Sequence, residues 1–467
     1  MARQRKESRH LANEKLKVAI IGTGYVGLTT GVCLAYLGHR VTCVDNNPHI
    51  IARLQAGQAV IHEPGLPEMM RAAGHNISYT AAIETAVPGA DVVVIAVGTP
   101  SKSNGDADVS AIEAVARQIG DLLTAAESPV IVNKSTVPIG SARRVALVIK
   151  AQLAKRGVDC RFSVASNPEF LREAVAIHDT LYPDRIIVGA ESSQALNALR
   201  QLYTPILEQT FVPPAGVPRP ADYGLPAFIT TNYASAELIK YASNCFLATK
   251  ISFINQFAVL SEKVGADIRD VARGIGADKR IGPKFFEAGL GWGGSCFGKD
   301  TKAIIHTAAQ YGYGMDIIQA AVDVNYRHRL CAIEKLQAVL KVIRGNTIGI
   351  MGLAFKANTD DLRDAPAIDI INALIDMGAR VKVYDPVAMA NFRQQFPETE
   401  VEYCQDVLDL ARDCDALLLV TDWPEFGAAN WQSVGDAMRQ KNIIDGRNTL
   451  VRESMAEQGF NYLGVGR

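Results

Sequence analysis

The sequence predicts an α/β protein in which two doubly wound domains of parallel sheet are joined by a central helical domain with one long helix. Three observations carry this expectation. Over the first third of the chain, short β-branched runs alternate with amphipathic stretches, the pattern of parallel βαβ units. From Thr231 or Asn232, either of which would cap a helix, to Val264 there is neither Gly nor Pro. That length allows a single helix of about 50 Å. From Thr347 the alternation resumes, with TIGIMGLAF, a helical pattern around Ile368–Met377, VKVYDP, LLLVTDW and NIIDGRN.

Taken in order, residues 1–16 read as a polar tail of mixed charge. Residues 17–211 read as the first α/β domain, with buried strands at Val18–Ile21, Val41–Val44, Val92–Val97 and Val130–Val132 and further strands near Phe162–Ala165 and Ile186–Val188. Residues 212–227 hold five prolines and two glycines and cannot propagate a helix, so a surface connection between domains is expected. Residues 228–345 make the central helical domain, whose long helix would join domains or pack against a partner, and residues 346–467 the second α/β domain. Ligands of open α/β sheets sit at the carboxyl ends of the strands, which gives each domain one candidate site.

The formal net charge of −1 over 467 residues offers no field that would draw nucleic acid or an acidic membrane. There is no apolar run long enough for a membrane span and no secretory pattern at the start. The eight cysteines, at 33, 43, 160, 245, 296, 331, 404 and 414, form no Cys-x-x-Cys pair. A reducing cytoplasm is therefore the expected location, and no metal is expected.

Gly22-Thr-Gly-Tyr-Val-Gly27 follows the strand KVAII and opens a helical stretch, and the second strand ends at Asp45. Glycines at this spacing let backbone N–H groups and a helix start approach a pyrophosphate, while an acid at Asp45 accepts the adenosine ribose hydroxyls. The alternative, a tight strand–helix turn without a ligand, is the weaker reading once both flanking elements are right. A carboxylate at Asp45, followed by Asn46 and Asn47 rather than Arg, favours NAD over NADP. This marks the first domain as Rossmann-like.

Cys296 lies in GLGWGGSCFGKD, where glycines at 289, 291, 293 and 294 let a loop fold tightly around a ligand. A helix starting near Ser295, with Lys299 close by, would favour the thiolate, and Asp300 would stand one turn beyond it. These residues alone leave a nucleophile site and a Gly-rich turn with a buried thiol evenly matched. Lys240 and Asn244 are four residues apart in ELIKYASNCF and share a helix face with apolar neighbours. A lysine so placed would stabilise negative charge on a reacting oxygen, although most single lysines are solvated surface groups.

These segments together resemble the UDP-glucose/GDP-mannose dehydrogenase family over roughly residues 16 to 460. The motifs are GTGYVG at 22–27, GTP at 98–100, KSTVPIG at 134–140, NPEFLRE at 167–173, ELIKYASN at 237–244, GGSCFGKD at 293–300, GLAFKANTDDLRDAP at 352–366 and DGRN at 445–448. The resemblance implies two Rossmann-like domains around a helical dimerisation domain, with the second α/β domain binding a UDP-sugar. It implies a four-electron oxidation of a nucleotide sugar, UDP-glucose to UDP-glucuronate, by two NAD molecules in succession. Cys296 would hold the substrate as a thiohemiacetal and then a thioester. Lys240 and Asn244 would stabilise the oxyanion, Asp300 would move protons through a water, and Glu169 and Thr136 would position the hydrolytic water.

The same resemblance implies cofactor contacts from Gly22, Gly24, Tyr25, Val26, Gly27, Asp45, Thr99, Thr136, Glu173 and Arg363. Substrate contacts are implied for Glu169, Phe170, Leu171, Lys240, Asn244, Phe285, Gly291, Gly293, Phe355, Lys356 and Arg447. Arg280 is similar to an arginine that reaches the sugar of a neighbouring subunit, which implies a homodimer through the central helices. Three positions depart from the usual pattern: Gly298 and Ala357 replace prolines, and Ala174 replaces a glycine after Glu173. The last puts the backbone near the nicotinamide in question, because Ala resists angles that Gly allows. The same chemistry on GDP-mannose or a UDP-N-acetylhexosamine is the nearest rival, and a non-catalytic dinucleotide-binding protein is a more distant one.

Overall fold

The computed structural model describes residues 15–467. The tail expected over residues 1–16 falls, through residue 14, outside the described residues. The chain divides after Ala242 into two compact units.

The first unit is built on an eight-stranded sheet. Its strands are β1 (Lys17–Ile21), β2 (Arg40–Val44), β3 (Ile77–Thr80), β4 (Val92–Ile95), β5 (Val130–Asn133), β6 (Ser163–Ser166), β7 (Arg185–Ala190) and β8 (Ala227–Thr231), in the order β3-β2-β1-β4-β5-β6-β7-β8. The first six run parallel in the doubly wound order, with the reversal of winding between β1 and β4. The β7 strand turns antiparallel to β6, and β8 follows β7 in parallel. Every residue of β4 and β5 is buried, as expected of strands covered by helices on both faces. Among those helices are α1 (Tyr25–Tyr36), α2 (Ser110–Leu122), α3 (Ser141–Arg156) and α4 (Ser193–Leu207).

One expectation is corrected here. The Pro-rich stretch does not lead out of the first domain, because β8 pairs with β7 in the same sheet. It is an excursion between two strands, fastened by the Tyr182 hydroxyl donating to the Val217 carbonyl (3.0 Å) and by Tyr223 donating to that of Pro183 (2.7 Å). The departure into the long helix comes after Thr231. There the Asn232 side chain caps the helix start, accepting from the Ser235 amide at 2.8 Å.

The long helix, α5, runs unbroken from Tyr233 to Val264, the 32 residues expected of it, and passes from one unit into the other. The second unit continues with α6 (Phe297–Gln310) and α7 (Asp316–Arg329), then a six-stranded parallel sheet. That sheet contains β9 (Thr347–Met351), β10 (Arg380–Tyr384), β11 (Glu402–Tyr403), β12 (Ala416–Leu419), β13 (Asn442–Asp445) and β14 (Asn461–Gly464), with α8 (Pro366–Asp376) after β9. The order β11-β10-β9-β12-β13-β14 repeats that of the first six strands of the other sheet. The fold is thus the α/β pair of Rossmann-like sheets with intervening helices that the sequence predicts.

Candidate functional site

In the first unit the turn after β1 is shaped by its three glycines in different ways. Gly22 has φ +103°, and its amide donates to the Val44 carbonyl at 2.7 Å. Gly24 caps α1 without a side-chain hydrogen bond, and nothing lies where its Cβ would project. Gly27 has no room for a side chain, since a Cβ there would strike the Gly22 carbonyl. The helix start therefore presents uncapped backbone N–H groups over open space, as an anion site requires. Asp45 stands beside it, half-buried, its carboxylate accepting from the Thr23 amide (3.0 Å), the Thr23 hydroxyl (2.6 Å) and the Asn47 amide (3.0 Å). Tyr25 donates its hydroxyl to the His62 carbonyl, and Val26 opens the helix beside it. At the ends of β4 and β5, the Thr99 hydroxyl donates to the Thr136 carbonyl at 2.8 Å.

Beyond β6 lies NPEFLRE. Glu169 is buried; one oxygen accepts the Leu171 amide at 2.9 Å and the other meets Lys240 Nζ at 2.7 Å, with both side chains at most 5% exposed. The lysine also lies 5.4 Å from the Phe170 ring centroid, and Arg185 stacks on that ring at 4.0 Å. Glu173 is buried nearby in sequence, and Ala174 adopts φ +68°.

In the second unit Cys296 is the N-cap residue of α6 with no side-chain cap, and its sulfur lies 3.4 Å from the Ser295 hydroxyl. One turn along, the fully buried Asp300 accepts from Asn244 Nδ2 at 2.6 Å and pairs with Lys299 Nζ at 2.5 Å. Burial pushes the thiols of the other seven cysteines above their ordinary value. In Cys245, burial and the charge of Asp300 together raise it to about 12. Such thiols stay protonated at neutral pH. Cys296 is half-buried at the start of α6, the position from which the sequence makes it the candidate nucleophile.

The glycine loop is folded as its composition suggests. Gly291 and Gly294 have φ of +93° and +88°, and a Cβ on Gly294 would press into the Phe355 ring. A Cβ on Gly293 would strike the Asp364 carbonyl. Arg447 reaches over this region, donating to the carbonyls of Val420 (2.6 Å), Phe355 (3.2 Å) and Gly291 (3.5 Å). Its guanidinium pKa is held below the ordinary value by burial. Lys356 lies 5.5 Å from the Phe355 ring, Arg363 is bidentate to Asp361, and Phe285 sits at φ +67°. Arg280 stays out in solvent on Asp278, away from these groups.

Family models match three successive segments. Residues 16–207 match the NAD binding domain, 234–327 the central domain and 349–452 the UDP binding domain of the UDP-glucose/GDP-mannose dehydrogenase family. The chain belongs to the UDP-glucose/GDP-mannose dehydrogenase family. It is 43% identical to the UDP-glucose 6-dehydrogenase TuaD of Bacillus subtilis, over 97% of this chain and 93% of that one. It is 41% identical to the UDP-glucose 6-dehydrogenase of Pseudomonas aeruginosa, over 97% and 98%. Its fold matches a UDP-glucose dehydrogenase from Pyrobaculum islandicum with a TM-score of 0.86 at 37% identity, covering 97% of this chain and 98% of the other.

The cofactor of this nucleotide-sugar dehydrogenase is NAD, and the first unit suits it. The uncapped start of α1 offers donors for a pyrophosphate, and the carboxylate of Asp45 offers acceptors for ribose hydroxyls and repels a 2′-phosphate. The second sheet carries the same turn in altered form. Gly352 (φ +96°) donates to the Tyr384 carbonyl just as Gly22 does to that of Val44. Asp385, in the place of Asp45, is 1% exposed and accepts from five donors: the amides of Leu353, Ala354, Val387 and Ala388 and the indole of Trp423. A carboxylate has about four lone-pair positions, so Asp385 has none left for a ligand.

The departure of this family member at Ala174 has a measurable consequence. Its left-handed backbone favours glycine, so Ala174→Gly is expected to stabilise the protein by about 1 kcal/mol despite the added freedom of the unfolded chain. Thermal unfolding would rise by roughly 1 °C. A lower midpoint would show that the strain is relieved by packing.

Sequence reasoning missed one group here. Lys134 is buried and donates to Asn167 Oδ1 (3.2 Å) and the Tyr203 hydroxyl (3.3 Å), while that hydroxyl donates to the same Asn167 oxygen at 2.6 Å. The cluster braces the NPEF segment two residues before Glu169. Tyr203 comes from α4, far along the chain, and no motif flags it.

Proposed function

We propose that the protein oxidises UDP-glucose to UDP-glucuronate with NAD, holding the sugar covalently on Cys296. The reading rests most heavily on Asp300, buried and held by Asn244 and Lys299 one helical turn beyond that cysteine. Full-length likeness to UDP-glucose 6-dehydrogenases supports the choice of sugar. When bound, NAD would supply the hydride acceptor for oxidation at the sugar C6 carbon. Two such transfers convert alcohol to carboxylate.

In this reading Lys240 and Asn244 donate to the sugar oxygen as it acquires negative charge. Cys296 attacks the aldehyde carbon to give a thiohemiacetal, which keeps the aldehyde from escaping, and the acyl stage is a thioester with a good leaving group. Glu169, with Thr136, positions the water that hydrolyses it, and Asp300 relays protons. Gly24, Asp45, Thr99 and Glu173, all of the first unit, hold the cofactor. Phe285, Gly291, Gly293, Phe355, Lys356 and Arg447, all of the second unit, bind the sugar nucleotide, whose diphosphate needs cations and N–H donors.

We further propose a homodimer. Phe246, Phe253, Phe257, Leu260 and Val264 are all exposed on α5 at spacings of seven, four, three and four, the seam along which helices pair. Arg280, 88% exposed, would serve the partner's sugar. The mass in solution tests this; a monomer would overturn it. None of the described helices is long and apolar enough to cross a membrane, and a cytoplasmic location is proposed on the absence of disulfides among the eight cysteines.

The deciding experiment offers UDP-glucose, GDP-mannose and a UDP-N-acetylhexosamine with NAD or NADP and counts reduced cofactor per sugar. Two NADH per UDP-glucose are expected, with little turnover on NADP. One NADH per sugar would sink the covalent scheme, and preference for another sugar would move the substrate assignment.

A further inference from the structure

The loop before Cys296 is held from behind by helix α7. The peptide of Trp292 meets it on both sides: its amide donates to Asn325 Oδ1 (2.7 Å), and its carbonyl accepts from Asn325 Nδ2 (3.0 Å) and Arg329 Nη2 (2.7 Å). Asn325 and Arg329 are both buried and stand four residues apart on α7, so they present one face to the loop. A Cβ on Gly291 would lie 2.6 Å from Asn325 Oδ1, which explains why the loop can settle there only with glycine.

The second arm of Arg329 binds carboxylates. Nη1 donates to Asp364 Oδ1 at 2.8 Å and to Asp369 Oδ2 at 2.7 Å. Asp364 is itself strained, at φ +51°. Its other oxygen, buried with no hydrogen-bond partner, points at the first turn of α6: a Cβ on Gly298 would lie 2.7 Å from it. A negative charge at a helix start is ordinarily favourable, but this helix begins at a thiol whose ionised form it would oppose. Lys299 and Asp300 on α6 face each other as a pair, and Lys302 lies over the Tyr326 ring at 5.9 Å. Asp364 is therefore the carboxylate whose balance depends on a group outside the helix.

We propose that Arg329 is a positioning residue for Cys296: with Asn325 it grips the Trp292 peptide of the glycine loop, and it cancels the Asp364 carboxylate lying against the first turn of the cysteine's helix. The inference rests on the reading of Cys296 as the nucleophile. The test is therefore made on the resting enzyme, without substrate. Iodoacetamide labelling of Cys296 is followed by mass spectrometry across pH in the full-length protein.

Arg329→Gln leaves Asp364 uncompensated, so the labelling midpoint should rise by about 0.5 to 1 pH unit. Asp364→Asn removes the carboxylate lying against the helix start and leaves Arg329 paired with Asp369, so the midpoint should fall by a similar amount. The double variant should return close to the parent. Loosened packing alone would not move the two single variants in opposite directions. Shifts of the same sign, or none, would overturn the proposal. If Arg329→Gln does not fold, Asp364→Asn decides it alone, since an unchanged or raised midpoint is fatal. An active Cys296→Ser enzyme would sink the covalent mechanism and leave these shifts as they are.

Discussion

Replacing Cys296 with Ser is expected to lower steady-state NADH formation by roughly 10³-fold or more, because an unactivated hydroxyl is a far weaker nucleophile than a thiolate and its ester a poorer acyl donor. The structure makes this an unusually clean substitution. Cys296 caps α6 without using its side chain, and serine is among the preferred capping residues. The variant should therefore be at least as stable as the parent, so thermal unfolding separates loss of chemistry from loss of fold. A serine variant keeping a tenth of the parent rate would remove Cys296 from the mechanism.

The second large effect is expected at Lys240. Its ammonium and the Glu169 carboxylate form a pair that is almost wholly buried. Lys240→Met leaves a buried carboxylate without its cation, which costs about 3–5 kcal/mol. It also removes the donor proposed for the developing oxyanion, worth on the order of 10²- to 10³-fold in kcat. The two losses can be told apart. In Lys240→Met/Glu169→Gln the charge imbalance is gone, so most of the stability should return while kcat stays low. If the double variant regained both, Lys240 would be a structural cation and its catalytic role would fall.

How much was legible in the sequence depended on whether burial was complete. The β4 and β5 strands are sealed on both faces, and their continuous apolar runs stand out. The β3 and β8 strands lie at the two edges of the sheet, half-exposed, and ISYT and AFITT carry no such signature. Missing β8 is what turned an excursion between strands into a supposed domain linker. The antiparallel turn of β7 leaves no trace either, because an apolar run reads the same in both directions.

The candidate site divides along a similar line. Gly22, Asp45, Cys296 and Asp300 lie in short contiguous motifs, where local spacing has chemical meaning. The distant partners that brace them do not. Lys134 meets Tyr203 across 69 positions, and Trp292 meets Arg329 across 37. In retrospect Asn325 and Arg329, two polar residues at helical spacing in an otherwise mixed segment, were the one available sign.

The saturated carboxylate of Asp385 has a consequence for how two receptacles of the same topology share one solution. NAD carries a ribose and a pyrophosphate, as a sugar nucleotide does, and a second intact fingerprint would invite it into the wrong seat. Enclosing Asp385 among four amides and an indole removes the acceptors that an adenosine ribose requires. The second sheet thereby lacks the free acceptor that Asp45 offers in the first. Hydrogen bonds already satisfied disfavour the enzyme's own oxidant at this turn, without any residue placed to repel it.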